Sequence, residues 1–136
     1  MKSSNDSIWI RPVRGRETLR GLRQKYRGSR LWAVFEPRSN TSRRNLLQNE
    51  LIEALREADG SVIASVNAPE KIPAGQLLDV DAVTSALRAA GRMAYHEPNA
   101  SAIIARLKPL VKNLDVVIVF SNGGFDGIHH KLMERL

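Results

Sequence analysis

The sequence predicts an α/β domain in which a mainly parallel sheet lies between two layers of helices. Short apolar runs rich in β-branched and aromatic residues, which are typical of buried strands, alternate with segments whose apolar residues recur at helical spacing. The resulting order, α-β-α-β-α-β-α-β-α, is that of parallel strands joined by helices. The four predicted strands are residues 31–36, 61–66, 93–97 and 114–120.

The predicted helices begin and end at residues that favour helix boundaries. Gly28, Gly60 and Gly91 each follow an amphipathic segment, and glycine readily closes a helix. Asp79 is placed to cap the third helix, and Pro109 should end or kink the fourth. The helices cover 15–26, 45–58, 80–90 and a segment that opens at 98–99, and a fifth carries Ile128, Leu132 and Leu136.

Right-handed crossovers between the strands predict the strand order 3-2-1-4, which is a Rossmann-like arrangement. In that order strand 31–36 lies beside strand 114–120, and the chain winds away from the pair in opposite directions. Open α/β sheets bind ligands outside the carboxyl ends of such a pair. The sequence therefore predicts a site between the loops PRSNTS (37–42) and SNGGFDG (121–127).

Length and composition narrow the class of protein. The 136 residues suffice for one domain, predicted as residues 15–136 after an irregular lead, 1–14, that shows no clean periodicity. The absence of cysteine excludes disulfides, thiolate metal sites and a cysteine nucleophile. No apolar run approaches the roughly 20 residues of a membrane-spanning helix, and the first residues do not resemble a signal peptide. A cytoplasmic protein without a membrane partner is expected.

The formal charge of +7 is unevenly distributed along the chain. Residues 1–44 contain 12 Lys and Arg against 3 Asp and Glu, whereas the rest contains 9 against 11. A basic segment of this kind is typical of proteins that bind a phosphate group, whether in a nucleotide, a nucleic acid or a phosphorylated substrate. A solvated helix face rich in arginine explains it equally well, so the charge alone does not decide.

The loop after strand 31–36 offers one guanidinium and four small polar side chains. Arg38 is suited to a planar, bidentate grip on a carboxylate or a phosphate. The alternative is that Arg38 pairs with Glu36 or solvent, and that Ser39 or Thr41 caps the helix that follows.

The loop after strand 114–120 contains Gly123 and Gly124 shortly before a predicted helix. Glycine permits close backbone approach and free amides at a helix start attract anions, so an anionic ligand is one interpretation. A plain tight turn is the alternative, because the segment is neither a Walker A loop nor GxGxxG. Asp126 and His129 add hydrogen-bonding capacity, with a capping or solvent-exposed role as their alternative.

Other catalytic and metal-binding patterns are absent from the sequence. His96 stands apart from any cysteine or carboxylate pattern and HExxH does not occur, so no metal site is expected. The serine near the glycine pair is not part of a GxSxG elbow, so the sequence gives no support for hydrolase chemistry.

Two long segments, WAVFEPRSNTSRRN (32–45) and VVIVFSNGGFDGIHHKL (116–132), closely resemble the C-terminal domain of the Mur ligase family, in particular of its murein peptide ligases. The resemblance extends from about Arg16 to Leu136 at matching spacing. It implies a Rossmann-like third domain, in agreement with the predicted strand pattern.

The resemblance also implies an activity and a division of labour between domains. Family members use ATP and magnesium, held mainly by a central P-loop domain, to phosphorylate a carboxylate of UDP-N-acetylmuramate. The amine of a recycled cell-wall tripeptide, L-Ala-γ-D-Glu-meso-diaminopimelate, then attacks the acyl phosphate to form an amide. The third domain presents the peptide, so its contribution is positional and electrostatic.

Carried over residue by residue, the resemblance implies that two motifs bind the peptide. Arg38 is expected to hold a peptide carboxylate, and the amides of residues 122–124 are expected to orient an anionic group. No catalytic residue and no metal ligand are expected in this chain. The implied substrate-binding residues are Arg38, Ser39, Asn40, Thr41, Ser121, Asn122, Gly123, Gly124, Phe125 and His129.

The sequence departs from the family pattern at two places. The family enters this domain through a DDFAHHP-like segment, which here is DSIWIRP (6–12), with Ile10 and Arg11 in place of the two histidines. The chain also contains no GxxxxGK[ST] motif, so neither cofactor binding nor ligation is expected of this chain alone.

Two other functions stay open on the sequence. One is a stand-alone peptide-binding or regulatory module that uses the same pocket. The other is a nucleic-acid-binding domain, suggested by the basic segment 1–44. Such domains interleave exposed aromatic and basic residues. In segment 1–44 the only aromatic residues outside the first predicted strand are Trp9 and Tyr26, and Tyr26 belongs to the apolar face of a predicted helix. No specific nucleic-acid partner is therefore expected.

Overall fold

The computed structural model describes residues 8–10, 16–37, 43, 45, 48–66, 68–112 and 114–120. Strands and helices alternate along these residues. The strands are β1 (Ile8–Ile10), β2 (Leu31–Phe35), β3 (Gly60–Ala64), β4 (Met93–Glu97) and β5 (Val116–Phe120). The α-helices are α1 (Arg16–Lys25), α2 (Gln48–Leu55), α3 (Val80–Ala89) and α4 (Ala100–Leu107).

The helix ends follow local signals in the sequence. Gly28 and Gly91 adopt φ angles of 87° and 81° after α1 and α3, a conformation that costs glycine little. Oδ1 of Asp79 accepts a hydrogen bond of 3.0 Å from the amide three residues further on, which caps α3. Helix α4 ends at Leu107, two residues before Pro109. The predicted cap and the predicted early end are confirmed.

The sheet is parallel throughout, in the order β1-β5-β2-β3-β4. The four predicted strands therefore take the order 3-2-1-4, which confirms the fold class. The pairing of β2 with β5 runs from Leu31 opposite Val116 to Phe35 opposite Phe120. The wholly apolar β5 lies inside the sheet, and the more polar β4 lies at its edge.

Strand β1 differs from the expectation of an irregular lead over residues 1–14. Its residues pair in parallel with β5, from Ile8 opposite Val116 to Ile10 opposite Ile118. Three apolar residues are too few to show a periodicity in the sequence. The strand forms because the outer side of β5 otherwise exposes a row of backbone donors and acceptors, which β1 satisfies.

Helices cover both faces of the sheet, as predicted. Because side chains alternate across a strand, Trp32 and Val34 face α4, whereas Leu31 and Ala33 face the layer of α1, α2 and α3. Each face carries its own cluster of buried apolar side chains. The helices contribute Ile103, Ile104 and Leu107 to the first cluster and Leu19, Leu55, Val83 and Leu87 to the second.

At the amino ends of β2 and β5, a buried carboxylate joins the two central strands. Oδ2 of Asp115 accepts hydrogen bonds from Nη2 of Arg30 at 2.7 Å, from Nε1 of Trp32 at 3.1 Å and from the amide of Lys112 at 2.9 Å. The Asp115 side chain is 6% exposed. Beside it, Gly60 lets the Trp32 ring lie against the backbone, because a Cβ there would be 2.3 Å from the ring.

Candidate functional site

The carboxyl ends of β2 and β5 lie side by side, where the sequence places the site. Phe35 is opposite Phe120, and the amide of Glu36 donates to the carbonyl of Phe120 at 3.1 Å, which extends the pairing beyond β2. Glu36 and Pro37 are buried. The segments that follow residues 37 and 120 therefore start from adjacent strand ends, which confirms the predicted adjacency of these two strands. That substrate binds there stays a prediction.

The residues predicted to bind substrate lie outside the part of the chain that the structure describes. Their contacts and their roles stay predictions, as does the alternative in which Arg38 pairs with Glu36. The structure describes the strand ends from which both motifs start. The residues concerned are Arg38, Ser39, Asn40, Thr41, Ser121, Asn122, Gly123, Gly124, Phe125 and His129.

A polar cavity of about 480 Å³ lies between the starts of α2 and α3, the helices that follow β2 and β3. It is open to solvent, and its polar walls come from the chain that follows β2 and from the connection that precedes α3. No local sequence pattern marks the cavity, because polar residues at two helix starts are also typical of helix caps. The lining residues are Asn45, Gln48, Asn49, Gly75, Leu77 and Asp79.

Hydrogen bonds hold the two walls of the cavity together. The amide of Asp79 donates to Oε1 of Gln48 at 3.0 Å, and Nδ2 of Asn45 donates to the carbonyl of Gly75 at 3.1 Å. The amide of Leu78 donates to the carbonyl of Arg43 at 2.9 Å. The connection before α3 is thereby fixed to the segment that leaves β2, so the cavity is part of the same edge of the sheet.

The chemistry of the lining suits a particular kind of group. Its six described residues offer three carboxamides and one carboxylate, and none of these six is basic. One carboxylate oxygen of Asp79 already accepts the N-cap hydrogen bond. Such a wall can hydrogen-bond to a neutral polar group or pair with an ammonium, whereas a phosphate would meet a like charge.

A second polar cluster lies at the carboxyl ends of β3 and β4. His96 in β4 contacts Ser65, directly after β3, and Asp81, in the first turn of α3. The sequence separates these residues by 31 and 15 positions, so no local pattern marks them. Among the described residues, no group of three or more His, Asp or Glu side chains is placed to hold a metal ion. None of the described helices is long and apolar enough to cross a membrane.

Ligases are similar in sequence to this chain over most of its length. The UDP-N-acetylmuramate–L-alanyl-γ-D-glutamyl-meso-2,6-diaminoheptandioate ligases of Haemophilus influenzae and Escherichia coli are 30% and 32% identical to it over 120 residues. The chain is a homologue of the Mur ligases. The alignments cover 88% of the chain and 24% of each ligase, so it spans about a quarter of their length. No family model matches the chain.

Solved Mur-type structures share its fold. The murein peptide ligase of Psychrobacter arcticus matches with a TM-score of 0.74 at 26% identity, over 99% of this chain and 28% of that structure. A separately crystallised domain, assigned to the same type of ligase in Haemophilus ducreyi, matches with a TM-score of 0.70 at 24% identity, over 97% and 93%. The resemblance to C-terminal domains of Mur ligases is thus confirmed in sequence and in fold.

Proposed function

We propose that this chain is the peptide-binding domain of an ATP-dependent ligase of peptidoglycan recycling. The reaction joins L-Ala-γ-D-Glu-meso-diaminopimelate to UDP-N-acetylmuramate through a new amide bond. The names of the two homologous ligases support this substrate pair. The observation that carries the proposal is the adjacency of β2 and β5, because the two matching motifs leave the sheet there.

The domain acts by positioning. Arg38 holds a carboxylate of the tripeptide through two parallel hydrogen bonds, and the amides of residues 122–124 orient an anionic group. Holding the peptide in line for attack lowers the entropic part of the barrier. ATP and magnesium are bound by another domain of the cytoplasmic ligase, since the chain contains no GxxxxGK[ST] sequence. The isolated chain is therefore inactive in ligation.

The polar cavity extends the peptide-binding surface. Its carboxamides and the carboxylate of Asp79 complement an amino group or an amide of the peptide, whereas Arg38 and the glycine-rich loop complement its carboxylates. The positive and negative groups of a zwitterionic peptide are thereby each placed beside groups of opposite charge or polarity at one edge of the sheet.

The basic segment is accounted for in part by ion pairs within the domain. Nε of Arg20 lies 2.8 Å from Oε1 of Glu57, and Nη2 of Arg23 lies 3.4 Å from Oδ2 of Asp59. These guanidiniums bind the loop between α2 and β3, which favours a structural role for their charge. We therefore propose no specific nucleic-acid partner.

Steady-state kinetics of a full-length ligase that carries this domain test the proposal. Arg38→Lys and Arg38→Ala should lower kcat/KM for the tripeptide by about tenfold to a hundredfold, since a charge-assisted hydrogen bond contributes roughly 1.5–3 kcal/mol. The KM for ATP should change little, because ATP binds elsewhere. Arg27→Ala, at an exposed arginine after α1, is the matched control and should leave both unchanged.

Unchanged peptide kinetics in both Arg38 variants would remove this residue from the site. Ligation or ATP hydrolysis by the purified 136-residue chain would contradict the assignment of the phosphate chemistry to another domain. Tight, sequence-dependent DNA or RNA binding that survives physiological salt would favour the nucleic-acid alternative, since non-specific binding to phosphates weakens steeply with salt.

A further inference from the structure

Three side chains from three elements meet at the carboxyl ends of β3 and β4. Oγ of Ser65 lies 2.8 Å from Nε2 of His96. Nδ1 of the same imidazole lies 2.9 Å from Oδ1 of Asp81. The order hydroxyl, imidazole, carboxylate, with Nε2 toward the hydroxyl and Nδ1 toward the carboxylate, is the arrangement by which serine nucleophiles are activated on unrelated folds.

The carboxylate fixes the direction of these hydrogen bonds. An ionised Asp81 only accepts, so Nδ1 of His96 carries the proton and donates it. In the neutral imidazole Nε2 is then the acceptor, and the hydroxyl of Ser65 donates to it. The hydroxyl proton thus already points to the base that would remove it, as nucleophilic catalysis requires.

The cluster is within reach of small molecules in solvent. The side chain of His96 is 29% exposed and that of Asp81 is 82% exposed. Two features make the activation modest. Water screens the exposed carboxylate, and the amide of Ser65 is engaged by the carbonyl of Glu97 at 3.0 Å, so it cannot stabilise an oxyanion at the same time.

We propose that Ser65 is a nucleophile activated by His96 and Asp81, and that it gives the domain a slow esterase activity toward small activated carboxylic esters. This activity is separate from ligation, because it requires neither ATP nor the peptide. It occupies the carboxyl ends of β3 and β4, whereas the ligase substrate is assigned to the carboxyl ends of β2 and β5.

The reaction has two steps. Oγ of Ser65 attacks the carbonyl carbon of the ester, and its proton passes to Nε2 of His96. The bond from that carbon to the leaving oxygen breaks, and the alcohol departs with the proton. Water then attacks the acyl-serine, gives a proton to Nε2 and releases the carboxylic acid, while the proton returns to Oγ.

Covalent labelling tests the nucleophile directly. A fluorophosphonate reacts with an activated serine by forming an oxygen–phosphorus bond and losing fluoride, and peptide mass mapping shows which serine is modified. In the full 136-residue chain Ser65 should be labelled, and the exposed Ser85 of α3 is the internal control. His96→Gln should lower the labelling rate at Ser65 by about a hundredfold, within the range for a general base.

Asp81→Asn provides a variant that leaves the fold intact, because this side chain is largely exposed. It should slow labelling by about tenfold, since the amide no longer holds Nδ1 as a donor as a carboxylate does. Hydrolysis of p-nitrophenyl acetate should fall to the rate of free imidazole in Ser65→Ala. Circular dichroism of each variant shows that it is folded.

Three results would overturn the proposal. One is the absence of label on Ser65 in the folded wild-type chain, or labelling of Ser85 at the same rate. Another is equal labelling of Ser65 in wild type and in His96→Gln, which would show that the imidazole does not act as its base. The third is ester hydrolysis whose rate is unchanged in Ser65→Ala but falls in His96→Gln, because the imidazole would then account for the whole reaction by itself.

Discussion

The two edges of the sheet differ in how their polar groups are used. At the amino ends of the strands, the Asp115 carboxylate is buried and accepts hydrogen bonds from Arg30, Trp32 and the backbone. At the carboxyl ends, polar side chains surround an open cavity, and Asp81 is largely exposed. The Asp115 carboxylate at the first edge is enclosed by its partners, whereas polar side chains at the second edge face solvent.

This difference has a physical origin in the connections. The turn before β5 and the loop before β3 return the chain to the sheet, and their side chains close over the strand ends. The connections that leave β2 and β3 are longer and lead into the starts of α2 and α3, and the amide of Asp79 at the start of α3 donates to Gln48 at the start of α2. Substitutions at the amino edge should therefore change stability, and those at the carboxyl edge should change binding and reactivity.

The largest expected effect is at Asp115. Replacing it with alanine removes the carboxylate partner of Arg30, which keeps only the carbonyl of Leu110, and leaves the indole nitrogen of Trp32 without its acceptor. The free energy of unfolding should fall by about 3 kcal/mol. Urea denaturation measures the loss. Asp81→Ala, at the carboxyl edge, should change stability by no more than about 0.5 kcal/mol. Equal losses at both aspartates would contradict the contrast between the edges.

A smaller effect is expected at Gly60. An alanine Cβ would lie 2.3 Å from the Trp32 ring, so the ring or the strand must shift, at a cost of roughly 1–3 kcal/mol. Thermal unfolding checks this. Gly21→Ala in α1 is the control, because nothing lies within 4 Å of the added carbon and alanine favours a helix. It should stabilise the domain by roughly 0.5–1 kcal/mol. A stable Gly60→Ala domain would show that the ring at the amino edge is free to move.

The smallest of the three losses of stability is expected at Asp79, whose carboxylate both caps α3 and lines the cavity. Asp79→Ala removes the cap of α3 and should cost about 1 kcal/mol, whereas Asp79→Asn keeps an acceptor oxygen and should cost only a few tenths. In a full-length ligase, both variants should raise the KM for the tripeptide. Loss of stability in both, with unchanged peptide kinetics, would limit Asp79 to the capping role.

The fold could be predicted because its signals are local or follow from chirality. Asp79, Gly91 and Pro109 mark helix ends through the conformations that their own backbones favour. The strand order follows from right-handed crossovers. Strand β1 was missed because its three residues carry no period, and its stability depends on the free side of β5 at the far end of the chain.

The features of the candidate site also differ in whether the sequence could predict them. The adjacency of the ends of β2 and β5, where the motif residues are expected to bind substrate, could be predicted from strand order alone. The cavity and the cluster around His96 could not, because they combine residues from separate connections. Ser65 and Asp81 come next to the imidazole only when β3, β4 and α3 are packed together.

The pairing of β1 with β5 constrains when the sheet can form during translation. Among the described strands β1 leaves the ribosome first and β5 last, yet β5 is the partner of both β1 and β2. Contacts between residues so distant in sequence form slowly, and until they form the strand edges stay open to other chains. The sheet is therefore expected to be completed only after translation has passed Phe120. A nascent chain that stops before Val116 would expose β1 and β2 together and aggregate.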